Sequence, residues 1–295
     1  MKEARTKVKT LLECLPYIKS FYGKIVVIKY GGHAMIDEVL QNAFAEDIVL
    51  LRYVGIKPIV VHGGGPQIDE LMEKLGKKST FVEGMRITDE DTMDIVEMVL
   101  GGKINTDIVS LINKHGGLAI GLSGKDANFI KAERIYGKKK VKDGYEDIDI
   151  GLVGEVEEVN VSILNAIIDN GFIPVIAPYG TGENGESLNI NADLVAGNIA
   201  SAMKAEKLIL LTDTEGVLDR NGKLLTFIKY EDAVNMVEKK DIISGGMIPK
   251  IRCCIDALKG DVHSCHIIDG RVEHSILLEI FTQKGIGTKI AMEED

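Results

Sequence analysis

The sequence has few cysteines: four occur among its 295 residues, and no two of them form a C-x-x-C pair. The neighbours Cys253 and Cys254 are therefore better explained as small buried residues than as metal ligands. Long apolar runs are also missing, because the longest have the length of a strand and fall well short of the ~20 residues that a membrane helix needs. The amino terminus carries charges where a signal peptide has its apolar core. We expect a protein of the reducing cytoplasm that does not enter a membrane.

Basic residues are outnumbered by acidic ones, with 35 Lys and Arg against 45 Asp and Glu and a net charge of −10. A general nucleic-acid binder needs a basic surface that displaces counterions from the phosphates. Nucleic-acid binding is therefore not expected. Any attraction for phosphate must come from a local arrangement of charges.

Several common catalytic motifs are absent. The segments 76–78 and 124–126 do not complete a Walker A loop, and 62–66 does not fit the dinucleotide fingerprint G-x-G-x-x-G. The segment 121–124 is not a G-x-S-x-G elbow. No cluster of Asp, Glu and His has the spacing of a metal cage, so no protein-built metal site is expected. These absences exclude a P-loop protein and a typical Rossmann dehydrogenase, and they make a hydrolase a poor interpretation.

Glycine-rich turns next to apolar runs are the main positive feature. Two of them end the segments 26–32 and 59–65, and a third precedes Lys250 in 245–250, while Lys29 stands beside the first. Short β-branched runs suit strands buried on both faces of a parallel sheet, and glycine at a strand's end lets backbone N–H groups approach an anion. A single turn of this kind could be plain turn punctuation. Together the turns predict a phosphate site.

Strand and helix patterns alternate along the chain. The strands are predicted at 24–29, 58–61, 118–122, 172–176, 207–211, 262–268 and 286–290. The helices are predicted at 4–20, 37–53, from Pro66, 88–100, 161–169, 191–203, 231–239, 248–258 and 273–282. This order predicts the α/β class, with an open, mainly parallel sheet between helices.

The remaining segments are expected to be irregular or to divide the chain. Gly101 and Gly102 should close the helix 88–100, 128–159 should form hairpins and a solvated loop, and 179–187 should be a polar turn. The amino-terminal helix lies outside the α/β repeat. We expect three parts, 1–22, 23–180 and 181–295.

With these motifs in order, the chain resembles the amino-acid kinase family over nearly its whole length. The matched motifs are Ile28-Lys29-Tyr30-Gly31-Gly32, 61–66, 85–88, 189–193, 211–217 and 245–250. The resemblance is strongest to the arginine-sensitive branch that phosphorylates N-acetyl-L-glutamate. It implies a three-layer α/β/α sandwich with an additional amino-terminal helix. It also implies transfer of the γ-phosphoryl group of ATP to the side-chain carboxylate, on the route to arginine.

The resemblance gives the catalytic role to Lys29, Lys250 and Asp193. The acceptor carboxylate is already ionised at neutral pH, so the reaction needs charge compensation rather than a general base. The two lysines would flank the transferring group. Asp193 would orient the two lysines, and His62 is expected to be a hydrogen-bonded structural residue.

The substrate residues are expected next to this centre. Gly64 and Gly65 would offer N–H groups at the start of the helix that Pro66 opens. By resemblance Arg86 holds the α-carboxylate, Asn189 binds the amide part of the substrate and Asn191 lies beside the reaction. The alternatives are a surface arginine in a turn for Arg86, and the N-cap of the following helix for Asn191 or Asp193.

The resemblance places the nucleotide, ATP with Mg²⁺, at two turns and a later segment. The residues are Gly31, Gly32, Thr212, Asp213, Gly216, Ile243 and Ser244. Magnesium would be held chiefly by the nucleotide phosphates and water. One departure from the family pattern is His33, which follows the paired glycines and could perturb the phosphate site electrostatically.

The amino-terminal helix carries an apolar stripe with Leu11, Leu12, Leu15 and Ile18. The stripe could pack on its own subunit. The resemblance instead implies that such helices join three dimers into a hexamer, with inhibitory L-arginine bound near the helix end. The arginine residues would be Tyr22, His266, Glu279, Gly285 and Gly287.

Two other functions remain open. Another kinase of the same family is disfavoured by the context of Arg86 and Asn189. A catalytically silent amino-acid sensor is disfavoured because Lys29, Lys250 and Asp193 are all retained.

Overall fold

The computed structural model describes residues 1–141, 144–239 and 246–294. The helices are α1 (Lys2–Phe21), α2 (Glu38–Tyr53), α3 (Gly65–Lys74), α4 (Glu90–Glu97), α5 (Asn105–Lys114), α6 (Ser162–Asp169), α7 (Ala192–Ala202), α8 (Tyr230–Lys239), α9 (Met247–Lys259) and α10 (Ser275–Phe281). No helix within those ranges is long and apolar enough to cross a bilayer.

The strands alternate with these helices. They are β1 (Ile25–Tyr30), β2 (Lys57–His62), β3 (Phe81–Val82), β4 (Met85–Arg86), β5 (Ala119–Ser123), β6 (Ile130–Arg134), β7 (Gly137–Val141), β8 (Gly144–Ile148), β9 (Gly154–Val159), β10 (Ile173–Ala177), β11 (Tyr179–Thr181), β12 (Ser187–Asn189), β13 (Lys207–Thr212), β14 (Phe227–Lys229), β15 (Ser264–Asp269) and β16 (Thr288–Ala291).

Eight strands form the central sheet in the order β14-β16-β15-β13-β1-β2-β10-β5. Neighbours from β15 to β5 pair in parallel, whereas β16 pairs antiparallel with β15. The register aligns Lys29 with Val61 of β2 and with Leu210 of β13. The carboxyl ends of β1, β2 and β13 therefore lie side by side in the middle of the sheet.

Helices cover both faces of this sheet. Along β1, Val27 belongs to one buried cluster, while Val26 and Ile28 belong to a second cluster on the opposite face. Alternate residues of a strand point to opposite faces, so a strand that is apolar throughout is buried on both sides. The predicted α/β class, with an open and mainly parallel sheet between helical layers, is confirmed.

The additional amino-terminal helix is also present. It contacts α10, and Lys207 of β13 lies over the Phe21 ring at 5.0 Å. The apolar stripe farther back is exposed in the single chain, with Leu11 71% and Leu12 62% accessible. One alternative is that the stripe packs on its own subunit. That alternative is wrong for Leu11 and Leu12, because the rest of the chain does not cover them.

The predicted helix end at Gly101 and Gly102 is wrong. Helix α4 passes into a π-helical stretch over 98–104, which continues into α5. Both glycines lie inside this stretch, and a Cβ on Gly101 would be too close to the hydroxyl of Tyr179. Gly101 thus allows Tyr179 to pack closely against the helix and does not end the helix. The tertiary contact overrides the local preference of glycine for a helix end.

Two smaller regions consist of paired strands outside the central sheet. The polar turn predicted at 179–187 is a β-hairpin, because β11 and β12 pair at its two ends. The hairpins predicted within 128–159 are confirmed by the pairs β7 with β8 and β6 with β9.

Candidate active site

Two lysines and one aspartate meet beside the carboxyl end of β1. Lys29 is the second-last residue of β1, Lys250 lies in the first turn of α9, and Asp193 lies in the first turn of α7. Lys29 Nζ is 3.2 Å from Asp193 Oδ1, and Lys250 Nζ donates to Asp193 Oδ2 at 2.7 Å. A single carboxylate therefore contacts both ammonium groups, which is the geometry that the predicted orienting role of Asp193 requires.

The turn before α7 sets the position of this carboxylate. Asn191 is the N-cap of α7, and its Oδ1 accepts a hydrogen bond from the backbone N–H of Asp193 at 2.8 Å. The proposed cap is thus Asn191 and not Asp193. The cap satisfies a free N–H group of the helix and leaves the Asp193 side chain directed at the lysines.

The site is electrostatically unusual because it is largely buried. The side chains of Lys29 and Lys250 are 12% and 15% exposed. Burial lowers the pKa of Lys29, the charge of Lys250 lowers it further, and Asp193 opposes both effects. Burial by itself would raise the pKa of Asp193, but the attraction of the two lysines outweighs it and brings this pKa to about 2. The carboxylate is therefore ionised at neutral pH and faces two lysine side chains in a largely buried site.

The glycines after β1 make room for this arrangement. A Cβ on Gly31 would lie 2.5 Å from Lys29 Nζ. Gly32 has a φ of 74°, a left-handed conformation that favours glycine. The next residue, His33, donates its backbone N–H to Asp213 Oδ1 at 2.7 Å, which ties the loop after β1 to the end of β13. The His33 side chain is exposed.

All five predicted substrate residues line one cavity of about 200 Å³. Gly64 and Gly65 contribute the start of α3, Arg86 comes from β4, and Asn189 and Asn191 come from the segment before α7. A Cβ on Gly64 would meet the side chains of Leu100 and Ile104, so the turn packs directly against the π-helical stretch. Larger cavities elsewhere, of about 490 and 640 Å³, are not lined by any of these five residues.

Arg86 is buried rather than a surface residue in a turn, with 5% of its side chain exposed. Its Nη1 pairs with Asp69 and contacts Ser79, and its Nη2 donates to the Gly65 carbonyl at 3.2 Å. Asp69 and Ser79 could not be predicted from the sequence, because neither stands in a recognisable pattern with Arg86. These contacts fix the guanidinium plane at the wall of the cavity.

His62 is fully buried and hydrogen-bonded. Its Nδ1 donates to the carbonyl of Gly63 at 2.8 Å, and its Nε2 accepts from Asn105 Nδ2 at 3.2 Å. Burial lowers its pKa to about 4. The ring is therefore neutral at physiological pH, and both of its nitrogens already have partners.

Four of the residues predicted for the nucleotide lie at the carboxyl ends of β1 and β13. Gly31, Gly32, Thr212 and Asp213 are neighbours there, while Gly216 is buried farther along, where a Cβ would meet Thr288. Ile243 and Ser244 lie outside the described residues. In the part of the chain that the structure describes, no group of three or more His, Cys, Asp and Glu side chains could hold a metal ion.

Four of the five residues predicted for arginine form a second cluster. His266 Nδ1 donates to Glu279 Oε1 at 2.6 Å, and Glu279 Oε2 accepts from the Ile286 N–H at 2.7 Å and more weakly from the Gly287 N–H. A Cβ on Gly285 would also meet the Glu279 carboxylate. Tyr22 is separate, because its exposed ring lies over Gly55.

The parallel sheet with two lysines at its carboxyl edge suits a phosphoryl-transfer enzyme, and the family comparison gives the class. Residues 24–269 match the model of the Amino acid kinase family. The chain belongs to that family, and it is an enzyme, a kinase.

Within the family, the full-length similarity is to acetylglutamate kinases. The chain is 59% identical to the acetylglutamate kinase of Syntrophobacter fumaroxidans over 286 residues, which cover 96% of both chains. It is 56% identical to that of Syntrophus aciditrophicus over 288 residues, 97% of both chains.

One solved relative adds structural information. N-acetylglutamate synthase from Neisseria gonorrhoeae, with coenzyme A and N-acetyl-glutamate, aligns with a TM-score of 0.84 at 27% identity and covers 98% of this chain. The chain spans 64% of the length of that synthase. A second structure of the synthase contains L-arginine and aligns with a TM-score of 0.79 at 26% identity.

Proposed function

We propose that the protein transfers the γ-phosphoryl group of ATP to the side-chain carboxylate of N-acetyl-L-glutamate. The product is N-acetyl-L-glutamyl 5-phosphate, an intermediate of L-arginine biosynthesis. The observation that carries the proposal is the Lys29–Asp193–Lys250 bridge beside a cavity lined by Arg86 and Asn189. Acetylglutamate kinases that match over nearly the whole chain support the choice of substrate.

The mechanism follows from the charges at the site. One oxygen of the substrate carboxylate attacks the γ-phosphorus, the bond from that phosphorus to the β–γ bridging oxygen breaks, and ADP leaves. No proton has to be removed from the acceptor, so His62 has no catalytic task. Lys29 and Lys250 stabilise the negative charge that develops on the transferring group, and Asp193 holds their ammonium groups apart and in place.

The substrate side of the site uses Arg86, Asn189 and Asn191. The α-carboxylate binds Arg86, whose guanidinium is held in orientation by Asp69. Asn189 and Asn191 bind the amide part and the reacting end. The N–H groups of Gly64 and Gly65 and the positive end of α3 face the carboxylate that is phosphorylated.

The nucleotide binds along the ends of β1 and β13. Gly31 and Gly32 admit its phosphates, and Thr212, Asp213, Gly216, Ile243 and Ser244 contact the rest of ATP. Magnesium would come with the nucleotide and would be held mainly by the phosphates and water, where it would neutralise phosphate charge. The carboxylate at the centre, Asp193, is already occupied by two lysines, so it serves the lysines rather than the cation.

We further propose that L-arginine inhibits the enzyme in a hexamer built from three dimers. The exposed stripe on α1 would pair with the same helix of another dimer. Arginine would bind at His266, Glu279, Gly285 and Gly287, would draw in Tyr22 from the end of α1, and would favour an arrangement that keeps the 23–180 and 181–295 lobes apart. The synthase structure that contains L-arginine supports this choice of inhibitor.

The cellular location follows the cysteine chemistry. All four cysteines are free, and three of them are buried. This state suits the reducing cytoplasm, where we place the enzyme.

One assay tests the reaction directly. The protein is incubated with Mg-ATP, hydroxylamine and one acid at a time: N-acetyl-L-glutamate, L-glutamate or L-aspartate. Hydroxylamine traps an acyl phosphate as a hydroxamate. We expect hydroxamate to form with N-acetyl-L-glutamate and little of it to form with L-glutamate or L-aspartate. Preference for a different acid would move the protein to another kinase activity of the family, and no product with any acid would favour the sensor interpretation.

A further inference from the structure

The buried thiol of Cys253 contacts the backbone of Asp193, whose carboxylate pairs with both lysines. Cys253 Sγ donates a hydrogen bond to the backbone carbonyl of Asp193 at 2.9 Å, and the residue is 2% exposed. Burial raises the pKa of this thiol well above its usual value. Cys253 therefore stays protonated at neutral pH, so it acts as a donor and not as a nucleophile.

The contact belongs to the crossing of α7 and α9, which pack against each other. Lys250 and Cys253 are three positions apart on α9, and Asp193 and Gly197 are four positions apart on α7. Residues at these separations share one face of a helix. The facing sides of the two helices therefore carry both the catalytic ion pair and the thiol contact.

Gly197 sets how closely the helices approach. A Cβ on Gly197 would lie 2.7 Å from Cys253 Sγ, a distance that real Cβ atoms essentially never show. Cysteine has a short side chain with few rotamers, so an added methyl group must either push the helices apart or turn the thiol away from the Asp193 carbonyl. Both movements act on the first turn of α7.

The first turn of α7 is where small displacements matter. Asp193 Oδ2 accepts the 2.7 Å hydrogen bond from Lys250, and Oδ1 faces Lys29 at 3.2 Å without an aligned hydrogen-bond donor among the described residues. The Asp193 side chain is thus held from outside its own helix mainly by the two lysines. Its backbone is held at the N–H by the Asn191 side chain and at the carbonyl by the Cys253 thiol, so both contacts bear on the position of the carboxylate.

We propose that Cys253 is a positioning residue for phosphoryl transfer, which acts together with Gly197 by fixing Asp193 of α7 against the Lys250 turn of α9. The inference rests on the proposed function, because it gives Cys253 its role through Asp193 and Lys250. Cys253 itself does not contact the reacting groups.

Substitutions on the two helices test this role, with Cys254 as the matched control. Cys254 is an equally buried cysteine of α9, but Cys253 is the one that donates to the Asp193 carbonyl. Cys253→Ala is expected to lower kcat by about three- to tenfold, the rate equivalent of one hydrogen bond, with both KM values unchanged. Cys253→Ser keeps a donor and should retain more activity. Cys254→Ala should lose a comparable amount of thermal stability while its kcat stays within about twofold of the parent.

The second arm is a compensating pair. Gly197→Ala is expected to lower kcat by more than about tenfold, because small misplacements of catalytic groups cost up to ~10²-fold. Adding Cys253→Ala removes the sulfur that the new methyl group meets, so the double variant should recover to the level of Cys253→Ala alone. Equal kcat losses in Cys253→Ala and Cys254→Ala, or a double variant worse than Gly197→Ala, would overturn the proposal.

Crystal structures of the variants separate this inference from the proposed function. If the parent forms no hydroxamate with any acid, the proposed function fails, and the Lys250 Nζ–Asp193 Oδ2 distance decides the inference. A distance longer than 2.7 Å in Gly197→Ala that is restored in the double variant supports the positioning role. An unchanged distance in Gly197→Ala rejects it.

Discussion

Gly31 provides the space that the ammonium group of Lys29 occupies. Its φ of −175° is extended and open to any residue, so the reason for glycine here is steric. A Cβ at this position would lie 2.5 Å from Lys29 Nζ and 3.0 Å from Cε. The Lys29 side chain folds back over the turn that follows β1. This places its ammonium group beside Asp193, at the carboxyl ends of the central strands.

We therefore expect Gly31→Ala to reduce catalysis more than stability. The clashing atoms are the mobile end of the Lys29 side chain, which can move away at little folding cost, but the ammonium then leaves its place beside Asp193. We predict a kcat loss of at least about tenfold with a melting temperature close to the parent's. Gly102→Ala is the control, because a Cβ there meets no atom within 4 Å. If Gly31→Ala unfolds the protein instead, the steric argument is wrong.

Replacing either lysine is expected to lower kcat much more than it raises KM for N-acetyl-L-glutamate. Each charge acts where negative charge builds in the transition state, and loss of one such group typically costs ~10²- to 10³-fold. Steady-state kinetics of Lys29→Ala and Lys250→Ala measure this. Lys57→Ala, at the start of the neighbouring strand and paired with Asp169, should behave like the parent. If Lys29→Ala or Lys250→Ala turns over at the parent's rate, the substituted lysine takes no part in the mechanism.

The pH dependence of catalysis should report the coupling of Lys29 to Asp193. Lys29 must be protonated to act, so activity falls as the pH rises through its pKa. Burial lowers the pKa of Lys29, and the negative charge of Asp193 raises it. Asp193→Asn removes this opposing charge, so the alkaline limb of kcat should move to lower pH. The exposed Asp91→Asn serves as control. If the alkaline limb of kcat lies at the same pH in Asp193→Asn as in the parent, the ionisation of Lys29 does not determine it.

Arg86→Lys is expected to raise KM for N-acetyl-L-glutamate by about tenfold or more and to leave KM for ATP near the parent value. A point charge cannot replace a planar guanidinium that Asp69 and the Gly65 carbonyl hold in place. Arg134→Lys, a change at an exposed arginine paired with Asp149, is the matched control. Selective loss of ATP affinity would place Arg86 in the nucleotide site instead.

Deleting residues 1–20 should leave an active dimer that arginine no longer inhibits at concentrations effective on the full chain. The reason is that the exposed apolar stripe of α1 would no longer join the dimers. Light scattering gives the assembly and kinetics give the inhibition. Leu11→Glu combined with Leu12→Glu keeps the helix and should have the same effect. A truncated protein that is still hexameric, or a full-length enzyme indifferent to arginine, contradicts the regulatory proposal but not the kinase proposal.

The sequence by itself determined the class of fold and the local geometry of the site. Strand periodicity, the glycine turns after β1 and β2, and the position of Lys29 at a strand end are encoded within short windows. Hydrophobic pattern and turn chemistry act over a few residues, so they can be read without knowing the rest of the chain. The motif resemblance then identified Asp193 and Lys250 as partners.

Only the tertiary structure decided which distant side chains meet. The partners of Arg86, the close approach of Gly197 to Cys253 and the path of the helix through Gly101 depend on strand order and on the depth of helix packing. Glycine at 101 is locally a helix terminator, yet the hydroxyl of Tyr179 occupies the space beside it and the helix continues. Contacts of this kind join residues far apart in sequence, and no local pattern carries their distances.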